Sequence, residues 1–294
     1  MERLKISSNV FVEDSLLEKM TREVLNNTEA VIELRKRGID DSMIKDNIGK
    51  IYDFANDLKI CKNCVRMENC QKETKCLVSE VFVINGVVDN KLTPCKKYLA
   101  KVNMENRYLV TDFPEKWING DKLYEKETKK EIILKYGDFV SGKNKEWIYI
   151  KSMISNGKSF LAAKLCEQSA KTGSFNSIAF INTPNRFKEL ADLAFAKNPK
   201  FETELEKYKN VEMLVLDDFG NEFKSDFVRD NILYPILAHR SKNNLFTVFT
   251  SNYSIDDVVD MYLTNHSCKP KIEQIRNLLK NKCDKEFNLK SQPM

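Results

Sequence analysis

The sequence lacks the segments that would place a protein in or across a membrane. No apolar run approaches the roughly 20 residues that a membrane-spanning helix needs. The first residues, Met1 to Ser8, lack the apolar core of a secretory signal peptide. Internal repeats and low-complexity tracts are also absent. We therefore expect a cytoplasmic protein without membrane association.

A strong excess of charge of one sign is missing as well. The 294 residues include 48 Lys and Arg against 43 Asp and Glu, a net charge of +5. This mild basicity permits contact with nucleic acid without requiring it. Charged residues make up 31% of the chain and hydrophobic residues 42%, which is typical of a soluble globular protein. The length is comfortable for two domains.

The cysteines are unevenly distributed. Five of the eight lie in one short segment, at Cys61, Cys64, Cys70, Cys76 and Cys95. Because a reducing cytosol disfavours disulfides, such a cluster more often indicates a metal site. The Cys61-x2-Cys64 spacing points two thiolates at one ion, and a structural zinc takes four ligands. We predict a structural zinc on Cys61, Cys64, Cys76 and Cys95, with Cys70 as the alternative ligand; buried thiols without metal remain open.

The segments around the cysteines have patterns of their own. Residues 1–58 have apolar residues near helical spacing. Val81–Val88 predicts a β-hairpin with Asn85-Gly86 at its turn, and a short helix is expected from Lys96. The chain is therefore predicted to begin with a helical and zinc-binding domain at 1–105, followed by a linker at 106–124.

Strand and helix patterns alternate from Trp147 onward. Apolar runs at 147–151, 177–182, 212–216 and 245–250 predict strands, and the segments between them predict helices. Such alternation is typical of a parallel sheet with helices around it. We predict an α/β domain at 125–294.

The first strand of this domain leads into a loop that ends in Gly157, Lys158 and Ser159. A lysine and a hydroxyl at the start of a helix hold phosphates and magnesium in P-loop proteins. Lys158 is expected at the β- and γ-phosphates of ATP, Ser159 at Mg²⁺, and Asn156 and Gly157 in the phosphate loop. Ser152 stands at the first glycine position of the usual motif.

Ser155 stands where many such loops carry another glycine, and Asn156 can adopt the left-handed conformation. A surface turn without a ligand is the alternative interpretation of this loop.

Two carboxylates follow a later strand. Asp217 and Asp218 end the apolar run that begins at Val211. A carboxylate at the end of a buried strand is where a magnesium shell needs a second anchor. We expect Asp217 to hold Mg²⁺ through water and Asp218 to orient or deprotonate the attacking water; the alternative is that the pair caps a turn. Asn252, at the end of the next strand, either senses the γ-phosphate or begins the turn into a helix capped by Ser254.

These motifs together resemble the AAA+ helicase loaders of the DnaI and DnaC type. Leu214–Glu222 looks like the Walker B region of that family, Phe227–Arg240 resembles the helix that follows it, and Phe246–Ser254 resembles its sensor 1 strand. The cysteine region resembles the amino-terminal zinc domain. The resemblance implies an ATP-dependent loader of the hexameric replicative helicase onto single-stranded DNA.

The resemblance also implies several partners and cofactors. The amino-terminal domain would bind the helicase, and the ATPase domain would use ATP and Mg²⁺ and contact single-stranded DNA. Other primosome proteins and further copies of the chain are the remaining expected partners.

The chain departs from the family at its arginines. Gln274 stands where one arginine of the late helix is expected, and Arg276 lies two residues on. Arg229, Arg240 and Arg276 are the candidates for an arginine acting in trans or as a second sensor. Arg229 and Arg240 are spaced to share one helix face, which could equally be a solvated face. Because Gln274 replaces one expected arginine and Ser152 a loop glycine, hydrolysis is expected to be weak.

A non-hydrolysing adaptor and a transposition-type ATPase subunit are the rival functions.

Overall fold

A computed structural model describes residues 14–64, 70–117, 127–263 and 269–289. The chain divides into two compact units, residues 1–102 and 103–294. Within the described ranges, none of the helices combines the length and apolar character that crossing a bilayer requires.

The first unit begins with short helices around an apolar core. The core includes Leu34, Ile44, Ile51 and Phe54, contributed by three successive helices; Ile51 and Phe54 lie one helical turn apart. Asn27 and Asp40 cap two of the helices by accepting hydrogen bonds from backbone amides. The helices are α1 (Asp14–Asn26), α2 (Thr28–Lys36), α3 (Asp41–Asp46) and α4 (Ile48–Lys62).

The predicted hairpin is confirmed. Strand β1 (Leu77–Ile84) pairs antiparallel with β2 (Val87–Pro94). The turn residues Asn85 and Gly86 have φ angles of 52° and 80°, the left-handed pair that a tight two-residue turn requires. Val81 and Val88 are buried in the same core as the helices. The helix predicted after the hairpin is α5 (Lys96–Glu105).

The second unit is built on a parallel sheet with the strand order β3-β5-β6-β7-β4-β8. The predicted strands are present with nearly the expected bounds. The strands are β3 (Tyr108–Thr111), β4 (Ile148–Lys151), β5 (Ile178–Asn182), β6 (Met213–Asp217), β7 (Phe246–Ser251) and β8 (Glu286–Asn288). The four strands predicted from sequence form the centre of the sheet, so their carboxyl ends meet at one edge.

Both faces of the sheet are covered. Along β6, Leu214 and Leu216 lie in one apolar cluster, while Met213 and Val215 lie in the other. A strand buried on both faces reads as a continuous apolar run, as this one does. The helices are α6 (Glu127–Val140), α7 (Lys158–Thr172), α8 (Thr183–Phe195), α9 (Lys200–Asn210), α10 (Tyr234–Lys242), α11 (Ile255–Asp260) and α12 (Lys269–Lys282).

Three features differ from the sequence prediction. Tyr108–Thr111 falls in the predicted linker, yet it is an edge strand paired with β5. Glu286–Asn288 is a short strand paired with β4 in a charged tail where none was expected. The helical segment expected between the third and fourth predicted strands contains a π-helical stretch, Val228–Leu233, before α10 begins. Both unexpected strands are short and lie at sheet edges, where hydrophobic patterning is weakest.

Candidate nucleotide-binding site

The loop between β4 and α7 closes without the first glycine of the usual motif. The Ser152 amide donates to the Ser251 carbonyl at 3.1 Å, which joins the loop to the end of β7. Ser152 has a negative φ, so a serine fits there without strain. Ser155 and Gly157 have φ angles of 66° and 80°. The left-handed residue before Gly157 is therefore Ser155 and not Asn156, whose side-chain amide donates to the Leu289 carbonyl at 3.4 Å.

Lys158 begins α7 with its ammonium group inside the loop. Its Nζ donates to the carbonyls of Ser152 and Met153 at 2.8 and 2.9 Å, and to Asn252 Oδ1 at 2.9 Å. The side chain is buried, and burial lowers the pKa of Lys158 while the nearby carboxylates oppose this shift. The predicted loop lysine and the predicted sensor asparagine are therefore in direct contact.

Asp217 lies at the carboxyl end of β6 and is also buried. Its Oδ1 accepts a hydrogen bond from Thr250 Oγ1 at 2.6 Å. Burial raises the pKa of Asp217, and hydrogen bonds from Ser159 and Thr250 oppose the shift. The two side chains predicted to share a magnesium ion, Ser159 and Asp217, are thus brought together. Thr250, which was not predicted as a site residue, aligns the carboxylate from the adjacent strand.

Asp218 occupies a left-handed conformation with φ of 56°. Its amide donates to Thr250 Oγ1 at 3.1 Å, and Asn182 Nδ2 donates to its Oδ2 at 3.4 Å. Asn182 ends β5 and pairs in register with Asp217. Asn182 was not predicted as a site residue: its sequence position at the end of a strand is visible, but its role follows only from the pairing of β5 with β6.

A cavity of about 360 Å³ opens over these groups. Its lining consists of the loop from Ile154 to Phe160 together with Trp117, Asp218 and Asn252. Amides at the start of α7, a buried lysine and two carboxylates form a donor set suited to a phosphate chain with its magnesium ion. The residues present therefore fit a magnesium nucleotide.

The candidate arginines lie in different environments from those expected. Arg240 is fully buried, and its guanidinium donates to the carbonyls of Tyr208, Val211 and Phe246 and to Thr247 Oγ1. It therefore joins the chain around β6 and β7 within its own unit.

Arg229 is also buried. It pairs with Asp226 and Asp230 and donates to the Tyr262 carbonyl at 3.3 Å. Arg229 and Arg240 are both buried, so the solvated face, one of the two alternatives for this helix, is not found. The π-helical segment Val228–Leu233 also departs from the α-helical spacing on which a shared face depended. Arg276 is held by Asp256, Asp260 and Glu273 on α11 and α12.

In the first unit, local contacts bring the cysteines towards one another. The Cys95 amide donates to the Cys76 carbonyl at 2.8 Å, and Lys97 donates to the Cys64 carbonyl. Backbone amides of Cys76 and Lys72 lower the pKa of Cys70, and burial raises the pKa of Cys61. Even so, within residues 14–64 and 70–117 no three ligand-type side chains are grouped to hold a metal ion. The zinc site stays a prediction.

Comparisons with known proteins find the same similarity to helicase loaders that the sequence motifs indicated. No protein-family model matches the chain. The replicative helicase loader DnaI of Bacillus subtilis is 23% identical over 254 residues, covering 82% of this chain and 80% of that protein. A crystal structure of DnaI matches with a TM-score of 0.55 and 25% identity, over 64% of this chain and 100% of that one.

A further solved structure shows the same fold. A protein proposed to be a primosome component of Streptococcus pyogenes serotype M3 matches with a TM-score of 0.51 and 24% identity, over 66% of this chain and 98% of that one. The chain is therefore similar to DnaI-type helicase loaders, as its motifs indicated, and it carries the α/β fold of that group.

Proposed function

We propose that this protein is a nucleotide-dependent loader that places a hexameric replicative helicase on single-stranded DNA. One observation carries the nucleotide part: Lys158 Nζ lies 2.9 Å from Asn252 Oδ1, beside the buried Asp217 carboxylate. The loader part is supported by the similarity to DnaI, whose match of 254 residues is longer than the unit 103–294. The match therefore extends into the first unit.

Each residue of the site has a proposed role. The amides from Asn156 to Ser159 and the Lys158 ammonium bind the phosphates, and Lys158 exchanges its present carbonyl partners for phosphate oxygens. Ser159 and Asp217 would hold Mg²⁺, which when bound would neutralise phosphate charge.

The remaining two side chains act on the reacting end of the nucleotide. Asp218 would orient the attacking water and accept its proton, and Asn252 would sense the γ-phosphate. Asn182 holds one oxygen of Asp218 and leaves the other for the water.

The first unit is proposed as the helicase-binding part of a cytoplasmic protein. It contains none of the nucleotide-site residues described above, and its cysteine segment is proposed to hold a structural zinc. Single-stranded DNA would bind the second unit through Lys and Arg contacts to phosphate, with an affinity that falls as salt rises.

A non-hydrolysing adaptor is the second candidate. It is favoured by the positions of Arg229 and Arg240, which are buried inside their own unit. Arg276 is also engaged, in three ion pairs. An arginine acting on a neighbour's nucleotide must be free to reach it. Nucleotide binding without turnover would select this candidate.

The nucleotide test measures ATP binding and turnover of the full chain, with and without single-stranded DNA and helicase. We expect Lys158→Ala to weaken ATP binding at least tenfold, about 1.4 kcal/mol or more. Asp218→Asn should leave binding intact and remove turnover. Lys171→Ala is the control, because Lys171 is a half-exposed lysine on the same helix whose partner Glu167 keeps a second pair with Lys164. Failure of the wild-type protein to bind ATP or ADP at millimolar concentration would refute the nucleotide site.

The partner test is co-purification of the full chain with a hexameric replicative helicase, followed by chemical cross-linking. We expect a stable complex in which the helicase cross-links to lysines of residues 1–102. Cross-links confined to residues 103–294 would reverse the assignment of the two units. No complex with the helicase, but one with a transposase, would select the transposition-type ATPase.

A further inference from the structure

In the turn that follows Asp218, side chains hold both the amide and the carbonyl of Gly220. The Gly220 amide donates to Glu222 Oε2 at 2.7 Å, and Lys224 Nζ donates to the Gly220 carbonyl at 2.7 Å. One residue earlier, Ser251 Oγ donates to the Phe219 carbonyl at 2.6 Å. The turn therefore depends on side chains from beyond its own four residues.

Glu222 links this turn to another element. Its carboxylate is buried, and its second oxygen accepts a hydrogen bond from the Tyr262 hydroxyl at 2.7 Å. Lys224 completes the group, 3.1 Å from Glu222 Oε1 and 5.1 Å from the centre of the Tyr262 ring. Tyr262 is itself buried, two residues after α11 ends. A buried carboxylate with these partners is strongly fixed in position.

The turn has no room to adjust alone. Gly220 has a φ of 99°, and a Cβ atom there would lie 2.7 Å from Val258 Cγ2 on α11 and 3.0 Å from the Tyr253 ring. Asp218, two residues earlier, is also in the left-handed region, which aspartate adopts more readily than most residues with a side chain; its place is fixed by its bonds to Thr250 and Asn182 as well as by the turn. Any shift of α11 is therefore felt at Asp218.

We propose that Glu222 is a positioning residue for Asp218, and that the Tyr262 hydroxyl makes ATP turnover depend on the placement of α11. The inference rests on the proposed nucleotide function. Glu222 touches neither the phosphate loop nor the cavity. It acts by fixing Gly220, so it should affect the hydrolytic step and not the binding of nucleotide.

The test compares Tyr262→Phe with Tyr136→Phe in the full chain. Tyr136 is also a buried tyrosine with a hydroxyl partner, Ser169 Oγ at 2.8 Å, but it lies in the other apolar cluster. Tyr262→Phe is expected to lower kcat about five- to tenfold, equivalent to about 1–1.4 kcal/mol. The Kd for a non-hydrolysable ATP analogue should stay within twofold. Tyr136→Phe should keep both values even if its Tm falls equally.

Two further measurements separate positioning from general loosening. Hydrogen exchange of the amides at residues 218–221 should quicken in Tyr262→Phe and not in Tyr136→Phe. Glu222→Gln, which keeps one acceptor oxygen, should retain more turnover than Glu222→Ala. An unchanged kcat in Tyr262→Phe, or an equal loss in both tyrosine variants, would overturn the inference while leaving nucleotide binding standing. A wild-type protein that does not hydrolyse ATP would overturn it together with the proposed ATPase.

Discussion

The nucleotide pocket and the cysteine segment are both small clusters of residues for which the sequence predicts a ligand, but they are fixed by different means. In the pocket, Lys158 and Asp217 are buried and bonded to neighbouring backbone or side chains. In the cysteine segment, the five thiols are only half-buried. Parallel strands with covered faces place the first cluster without any ligand. The second has a few local hydrogen bonds, so a metal ion is the means by which such a segment would become rigid.

The strongest test of how the second unit is fixed is the removal of Arg240, for which we expect the largest effect. Arg240→Met would leave the carbonyls of Tyr208, Val211 and Phe246 buried without their donor. Each unsatisfied group costs about 1–3 kcal/mol, so the second unit should be destabilised by roughly 3–5 kcal/mol or more. We expect loss of cooperative unfolding or a large fall in Tm, measured by calorimetry.

Arg276→Met is the matched control for Arg240. Its partners Asp256, Asp260 and Glu273 are about half exposed, so their ion pairs should contribute only about 1 kcal/mol. An Arg240→Met protein as stable as Arg276→Met, but deficient in turnover, would restore the role in trans that its burial argues against.

The next largest effect is expected from the metal in the first unit. Protein purified without chelators should contain one zinc per chain, and Cys64→Ser should lose it and loosen the cysteine-bearing parts of residues 61–97, while the hairpin stays packed on the helices through Val81 and Val88. Cys283→Ala, which removes a buried thiol of the second unit, should keep the zinc. If metal analysis finds no zinc in the wild-type protein, the predicted zinc site is wrong and the cysteines are thiols without metal.

The sequence predicts the site residues that depend on a single strand, but not those that depend on how strands and helices pack together. The central strands and the residues at their carboxyl ends follow from apolar runs bounded by polar residues, and parallel pairing then brings Lys158, Asp217 and Asn252 together. Thr250 and Asn182 were missed because their roles depend on which strands are adjacent, a property that no single strand encodes. Arg240 was misjudged because helical spacing gives a face but not what covers it.

A smaller effect follows from the raised pKa of Asp217. The carboxyl must be ionised to hold magnesium, and its pKa lies above the ordinary 3.8 because it is buried. As pH falls, the magnesium contribution to nucleotide affinity should therefore decline at a higher pH than for an exposed aspartate, by about tenfold per pH unit below the pKa. For stability the sign is opposite: the folded state disfavours the charged carboxylate, so this cost disappears as pH falls through the folded pKa.

The measurement for Asp217 is nucleotide affinity with and without Mg²⁺ at each pH, since the phosphates titrate in both series. Asp217→Asn should remove the pH dependence of the magnesium contribution. If the wild-type and Asp217→Asn proteins show the same dependence, Asp217 does not hold the ion.

The smallest effect distinguishes two serines that the sequence motif treats alike. Ser152 and Ser155 both stand where glycine is expected, but only Ser155 has a positive φ, of 66°. Ser155→Gly should remove backbone strain of about 1–2 kcal/mol. Because glycine also gives the unfolded chain more freedom, the net gain in the free energy of unfolding should be about 0.5–1 kcal/mol. Ser152→Gly should instead destabilise by about 0.5–1 kcal/mol, because the serine there already has an unstrained backbone. Opposite signs in urea unfolding would show that the loop has lost one required glycine and not two; equal signs would mean that the backbone of this loop differs from the one described.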